Sequence, residues 1–219
     1  VAFWLAQGYV AFRLPFHVDE RFTYLYFVSR GWLVSMAYYP GPNNHILFTL
    51  LCNVVDIFLN DPFRVMKVAG LLAGGMLPPV FWAVLRRQFG PAVAWLGTAT
   101  FCSTERVFYY ATQGRGYSLL AIWVVVAAYA AGQIARSGAV GRLPYILLGV
   151  SSVLGFYTVP VFLYPAAGLA LYLLVTLTIR REYQKLKHIV LTGVCAAAAT
   201  GVLYMPVILA NGWTALAGN

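Results

Sequence analysis

Residues 143–179 form one apolar run of 37 residues without a charged side chain. As a single helix it would extend about 56 Å, nearly twice the thickness of a hydrocarbon core of about 30 Å. It therefore reads as two crossings, and Pro160 and Pro165 supply the break, with a tight turn at 157–164. Four further stretches are long enough to cross: 64–85, 91 to about 110, 116–134 and 189–209. The first apolar run, residues 1–12, is shorter than the roughly 20 residues a spanning helix needs. It reads as the tail of a first span that begins earlier. The expectation is an all-α, polytopic transmembrane bundle of about seven spans, forming a single module over 1–219 that is truncated at both ends. A chain that is 61% hydrophobic and 10% charged lies far from the composition of soluble domains, in line with an integral membrane protein.

The charges give the crossings a direction. Arg86 with Arg87, Arg136 with Arg142, and the group Arg180, Arg181, Lys185 and Lys187 fall in every second loop. All three clusters then share one side, which the positive-inside rule makes cytoplasmic. The alternate loops, 105–115, 157–164 and 211–213, face out. A net charge of +9 used in this way orients the chain, and no nucleic-acid partner is expected. Cys52, Cys102 and Cys195 form no C-x-x-C pair and read as small buried apolar residues. His17, His45 and His188 lack the i, i+4 spacing of a helical metal site. A divalent metal is left open without a ligand set, and no cofactor is implied.

The interval from Arg13 to His45 is the longest without an apolar run. It holds Asp19 and Glu20, two of the six acids in the chain, together with His17, His45 and the Pro40-Gly41-Pro42 break. A carboxylate just beyond a span can act as a general base toward an acceptor hydroxyl or amine; the alternative is a solvated pair of acids. In the next helix, from about residue 44 to 59, His45, Thr49, Asn53, Asp56 and Asn60 step by four, four, three and four. At 100° per residue they occupy an arc of about 80°. Such a helix lies in the interface plane or crosses as a tilted span, and parity ties that choice to the side on which Asp19 stands. The non-spanning reading puts both polar clusters on the outer face and is preferred. The second cluster is STERVFYYATQGRGYSLL, with Glu105, Arg106 and Arg115 beside Tyr109, Tyr110 and Tyr117. Glu105 is expected near the outer hydrocarbon margin, where an ionisable group marks a functional site, or else pairs with Arg115. The planar fork of Arg115 suits a phosphate oxygen. Gly74-Gly75 and Pro78-Pro79 read as close helix packing and a kink.

The segments HVDERFTYLY, YPGPNNHILF and ATQGRGYSLL, in that order, resemble the GT-C superfamily of membrane glycosyltransferases. The closest likeness is to the glycosyltransferase 39 and RgtA/B/C/D-like group, relatives of the protein O-mannosyltransferases and the aminoarabinose transferase. The resemblance implies transfer of a sugar from a polyprenyl-phosphate donor to a lipid, glycan or protein acceptor, with inversion, at the extracytoplasmic face of a bacterial inner membrane. It makes Asp19 the catalytic acid residue, with Glu20 assisting the acceptor. Arg115, Tyr117, Glu105, His45, Asn44 and Asn43 become the substrate-binding set. Two departures stand out. Relatives carry a second acid before R-x-Y, where this chain has Gln113 and Gly114, and a Tyr-Thr-His where it has Tyr157, Thr158 and Val159. The alternative class is a transporter or flippase of a lipid-linked or small anionic substrate, which places ionisable groups near the midplane on broken helices. A third is a membrane subunit that only binds lipid.

Overall fold

The structure, a computed structural model, describes residues 1–40, 44–136, 138 and 140–212, and contains no strand among them. Four short elements come first or flank the first turn: α1 (Ala2–Arg13), α2 (Val18–Tyr26), a 3-10 turn (Val28–Arg30) and α3 (Trp32–Ala37). Then follow α4 (Ile46–Leu59), α5 (Pro62–Phe89), α6 (Pro91–Cys102), α7 (Glu105–Thr112) and α8 (Tyr117–Ile134). The chain ends in α9 (Arg142–Thr158), α10 (Leu163–Ile179) and α11 (Tyr183–Asn211).

Local chemistry explains the joints. Asn60 closes α4 in the left-handed conformation (φ 47), and Asp61 opens α5 by accepting the Arg64 N–H at 2.7 Å, with Pro62 in the first turn. The expected break in the long apolar run is present. α9 stops at Thr158, a 3-10 turn spans Pro160–Phe162, and Pro165 lies in the first turn of α10. Phe162 is fully buried against Gly155, where any Cβ would collide with its ring.

Four helices are long and apolar enough to cross a membrane: α5, the Pro160–Ile179 unit, α8 and α11. Among the described residues the chain is thus all-helical with four such helices, against the seven crossings expected. α1 and α6 have 12 residues each and α9 has 17. The stretch from 91 to 110 is divided at Ser103 and Thr104, where Ser103 Oγ donates to the Ala99 carbonyl and Thr104 Oγ1 to that of Thr100. The helix restarts as α7 with Glu105 in its first turn. α5 instead continues through Pro78 and Pro79.

Side-chain contacts sort the bundle into two ends. Arg180 donates to the Ala135 carbonyl and Lys185 to those of Ile134 and Arg136, so the second and third basic clusters meet at the end of α8. Gly132 of α8 lies beside Gln88 of α5, which brings the Arg86-Arg87 cluster to the same end. The opposite end is one α8 length away, about 27 Å. There Asn211 of α11 donates to the Ala37 carbonyl and accepts the Tyr39 N–H at 3.4 Å. The main core lies between α2, α4, α5 and α8, around Phe48, Cys52, Met66, Ala69 and Ile122.

Candidate functional site

The two acids that stand side by side in sequence part company in space. His17 sits before α2 and accepts the Asp19 N–H on Nδ1 at 3.4 Å, while Glu20 Oε2 reaches back to the His17 N–H at 3.0 Å. This reciprocal cap starts α2 and points the two carboxylates in different directions. Glu20 is fully buried. Its oxygens accept from Lys67 Nζ at 3.0 and 2.9 Å, and Oε1 also accepts the Gly114 N–H at 2.6 Å. Lys67, in α5, is itself only 1% exposed. Four donor contacts on one carboxylate make this a saturated buried ion pair, the arrangement in which enclosed charge is tolerated.

Asp19 remains partly open, its side chain 37% exposed. Its Oδ2 meets Arg115 Nη1 at 2.5 Å, and among the described residues Oδ1 takes no hydrogen bond. The Arg115 guanidinium lies 5.0 Å from the centre of the Tyr117 ring. Tyr117 in turn packs edge-on against His45 at 4.9 Å and against Tyr110 at 4.9 Å. His45 Nδ1 accepts the Gly116 N–H at 3.0 Å, which leaves the proton of the neutral ring on Nε2. Burial first, then the Arg115 charge, lowers its pKa to about 4, so the ring is neutral near pH 7.

The turn that carries Arg115 is therefore gripped on both sides, by Glu20 at Gly114 and by His45 at Gly116. It is also pressed close to α5. A Cβ on Gly70 would stand 2.6 Å from the Gln113 carbonyl oxygen, and one on Gly74 would stand 2.5 Å from that of Ala111. Gln7 of α1 seals the same contact by donating to the Ala111 carbonyl at 2.6 Å. Only glycine allows this approach.

The polar stripe of α4 is turned inward, onto the connecting segment from α2 to α4. Asn53 Nδ2 donates to Ser35 Oγ at 2.7 Å, and Tyr24 donates its hydroxyl to Asp56 at 3.0 Å. Burial and the Asp56 carboxylate push the Tyr24 pKa up to about 12, which keeps it a donor. Asn44 donates to the Ser35 and Tyr38 carbonyls at 2.9 and 3.1 Å and accepts from Thr49 at 2.9 Å. Its polar atoms are thus occupied by the scaffold. Asn43 lies outside the described residues.

Of the expected site residues, the structure brings together Asp19, Glu20, Arg115, Tyr117 and His45. Glu105 stays apart, exposed at the start of α7, and makes no ion pair among the described residues. Arg115 pairs with Asp19, and the carboxylate beside the Gln113-Gly114 step belongs to Glu20, which arrives from 94 residues away. Lys67 is the residue that sequence reasoning missed. It lies inside the 64–85 stretch, three residues after Arg64, and its signal was a second cation carried past the first turn of an apolar helix. No protein-family model, curated protein or solved structure matches the chain.

Proposed function

We propose that the chain transfers a sugar from a polyprenyl-phosphate donor to an acceptor, with Asp19 as general base and Arg115 as the donor-phosphate contact. The observation that carries this reading is the division between the two acids. Glu20 is enclosed and matched by Lys67, while Asp19 is open and held at a guanidinium. The resemblance of HVDERFTYLY and ATQGRGYSLL to GT-C transferases points the same way.

In this reading a donor phosphate takes Arg115 N–H groups now turned to Asp19, which releases the carboxylate for the acceptor. The acceptor O–H gives its proton to Asp19 as its oxygen bonds to the anomeric carbon. The bond from that carbon to the phosphate oxygen breaks on the opposite side, and polyprenyl phosphate leaves with the electron pair, held by Arg115. Tyr117 supports the guanidinium. Glu20 and His45 position its turn, and Glu20 is assigned that role in place of assisting the acceptor. Glu105 and Asn43 are retained as outer contacts to acceptor or donor, and Asn44 holds the Ser35 and Tyr38 carbonyls. The site end faces the extracytoplasmic side of a bacterial inner membrane, with the basic end cytoplasmic and α4 along the outer interface.

The test is the full natural chain reconstituted in vesicles with polyprenyl-phosphate sugars and a panel of acceptors. Asp19→Asn is expected to lower turnover by about 10² to 10⁴ with donor affinity retained. Arg115→Lys keeps the charge but loses the fork, and is expected to weaken donor binding. Wild-type turnover in Asp19→Asn would remove it as the base, whereas vectorial movement of the donor without sugar transfer would favour a flippase.

A further inference from the structure

Four of the cations at the basic end of the bundle, Arg142, Arg180, Arg181 and Lys185, are used differently. Arg180 and Lys185 are spent on the carbonyls of Ala135, Ile134 and Arg136, at the C-terminus of α8, where positive charge is favoured. Lys185 also neutralises Glu182. Arg142 and Arg181 are exposed and have neither an acid nor a carbonyl partner among the described residues. Both line a cavity of about 730 Å³, together with Tyr145, Tyr183 and His188. Arg181 also adopts the left-handed conformation (φ 57) after α10, where the Glu182 N–H returns to the Leu177 carbonyl at 2.9 Å. Glycine is the usual residue at such a helix end, and an arginine there bears a conformational cost that its packing does not explain.

The cavity does not end in water on every side. Tyr145 also forms the end of a second cavity, of about 560 Å³, that runs between α9 and α11. That groove is floored by Gly149, Ala196 and Ala199 and walled by Val153 and Leu191. A cup bearing two unspent guanidinium groups thus adjoins, across Tyr145, an apolar groove on the outside of α9 and α11.

We propose that this composite site binds an anionic phospholipid, with its phosphate headgroup between Arg142 and Arg181 and one acyl chain along the α9–α11 groove. The charge of the cup selects against zwitterionic lipids, and the apolar groove beside it selects against free anions. The site lies at the end of the bundle opposite Asp19 and does not depend on the transfer reaction.

Native mass spectrometry of the full chain, equilibrated with equimolar phosphatidylglycerol and phosphatidylcholine, measures the preference directly. Wild type is expected to retain phosphatidylglycerol selectively. Arg142→Gln/Arg181→Gln is expected to lose about fivefold of that preference per guanidinium removed. Cys195→Trp, which fills the groove wall, is expected to reduce retention of the lipid while circular dichroism shows the helices intact. Arg21→Gln/Arg64→Gln, at the other end, is expected to leave the preference unchanged. Equal retention of the two lipids, or an equal loss in the Arg21/Arg64 variant, would overturn the proposal. Displacement of the lipid by millimolar inorganic phosphate would also overturn it, by assigning the cup to a soluble anion.

Discussion

The apolar stretches of α5 and α8 are 33% and 39% buried within the protein, while those of the Pro160–Ile179 unit and α11 are 17% and 11% buried. α5 and the turn that enters α8 are held by specific polar chemistry: the Lys67–Glu20 ion pair, the Gln7 seal, the glycine contacts of α5 with the 111–114 segment, and the Gly116 N–H donated to His45. The second pair presents Leu171, Val190, Val194, Val202 and Leu209 outward. Polar satisfaction fixes a unique arrangement where loops must be placed to within an ångström. The outward apolar helices supply surface for lipid, where dispersion contacts are interchangeable.

The sharpest way to break this contrast is to remove Lys67. Lys67→Met leaves Glu20 as an uncompensated buried carboxylate and is expected to cost about 3–5 kcal/mol, measured by thermal unfolding in detergent. Adding Glu20→Gln, which keeps an acceptor for the Gly114 N–H, should recover much of that loss. Val202→Ala on exposed α11 should stay within about 0.5 kcal/mol. An equal loss in both regions would erase the distinction.

The second test uses pH. The folded pKa of His45, about 4, lies below the ordinary value of 6.5. Between these values the unfolded chain binds the proton and the folded chain does not. The His45 contribution is therefore present above pH 6.5 and is lost as pH falls toward 4, by up to about 3 kcal/mol. His45→Gln should flatten this part of the profile relative to wild type. A parallel profile in the variant would mean that the ring titrates freely.

The third test compares glycines. Gly70→Ala places a Cβ 2.6 Å from a backbone oxygen and should destabilise by about 1–3 kcal/mol. Gly201→Ala in α11 meets nothing within 4 Å and should be neutral or stabilise by up to about 1 kcal/mol.

The same contrast explains what could be read from the sequence. Long apolar helices announce themselves by composition, so α5, α8, α10 and α11 were within reach, as was the turn at Pro160. The grouping of basic clusters at one end followed from their alternation. Asp19 and Arg115 were singled out separately, and their pairing across 96 residues needed the fold. The stripe of α4 was visible as a period, but its partners Ser35 and Tyr24 lie in a segment with no period to read. The division of residues 91–110 escaped because hydropathy averages across the Ser103–Thr104 step, where α6 stops and α7 begins. Lys67 escaped because a helix pattern says which face a cation occupies and nothing about an acid 47 residues upstream.

The central claim is that two neighbouring carboxylates do different work, Glu20 holding the structure from inside and Asp19 remaining open at the surface. Thermal unfolding of Glu20→Gln and Asp19→Asn, each against wild type in the same detergent, tests it without any substrate. Breaking the buried pair in Glu20→Gln is expected to lower the midpoint by about 6–20 °C. Asp19→Asn, losing one partly exposed ion pair, is expected to shift it by no more than about 4 °C. Equal shifts, or a larger one for Asp19→Asn, would contradict the division of roles.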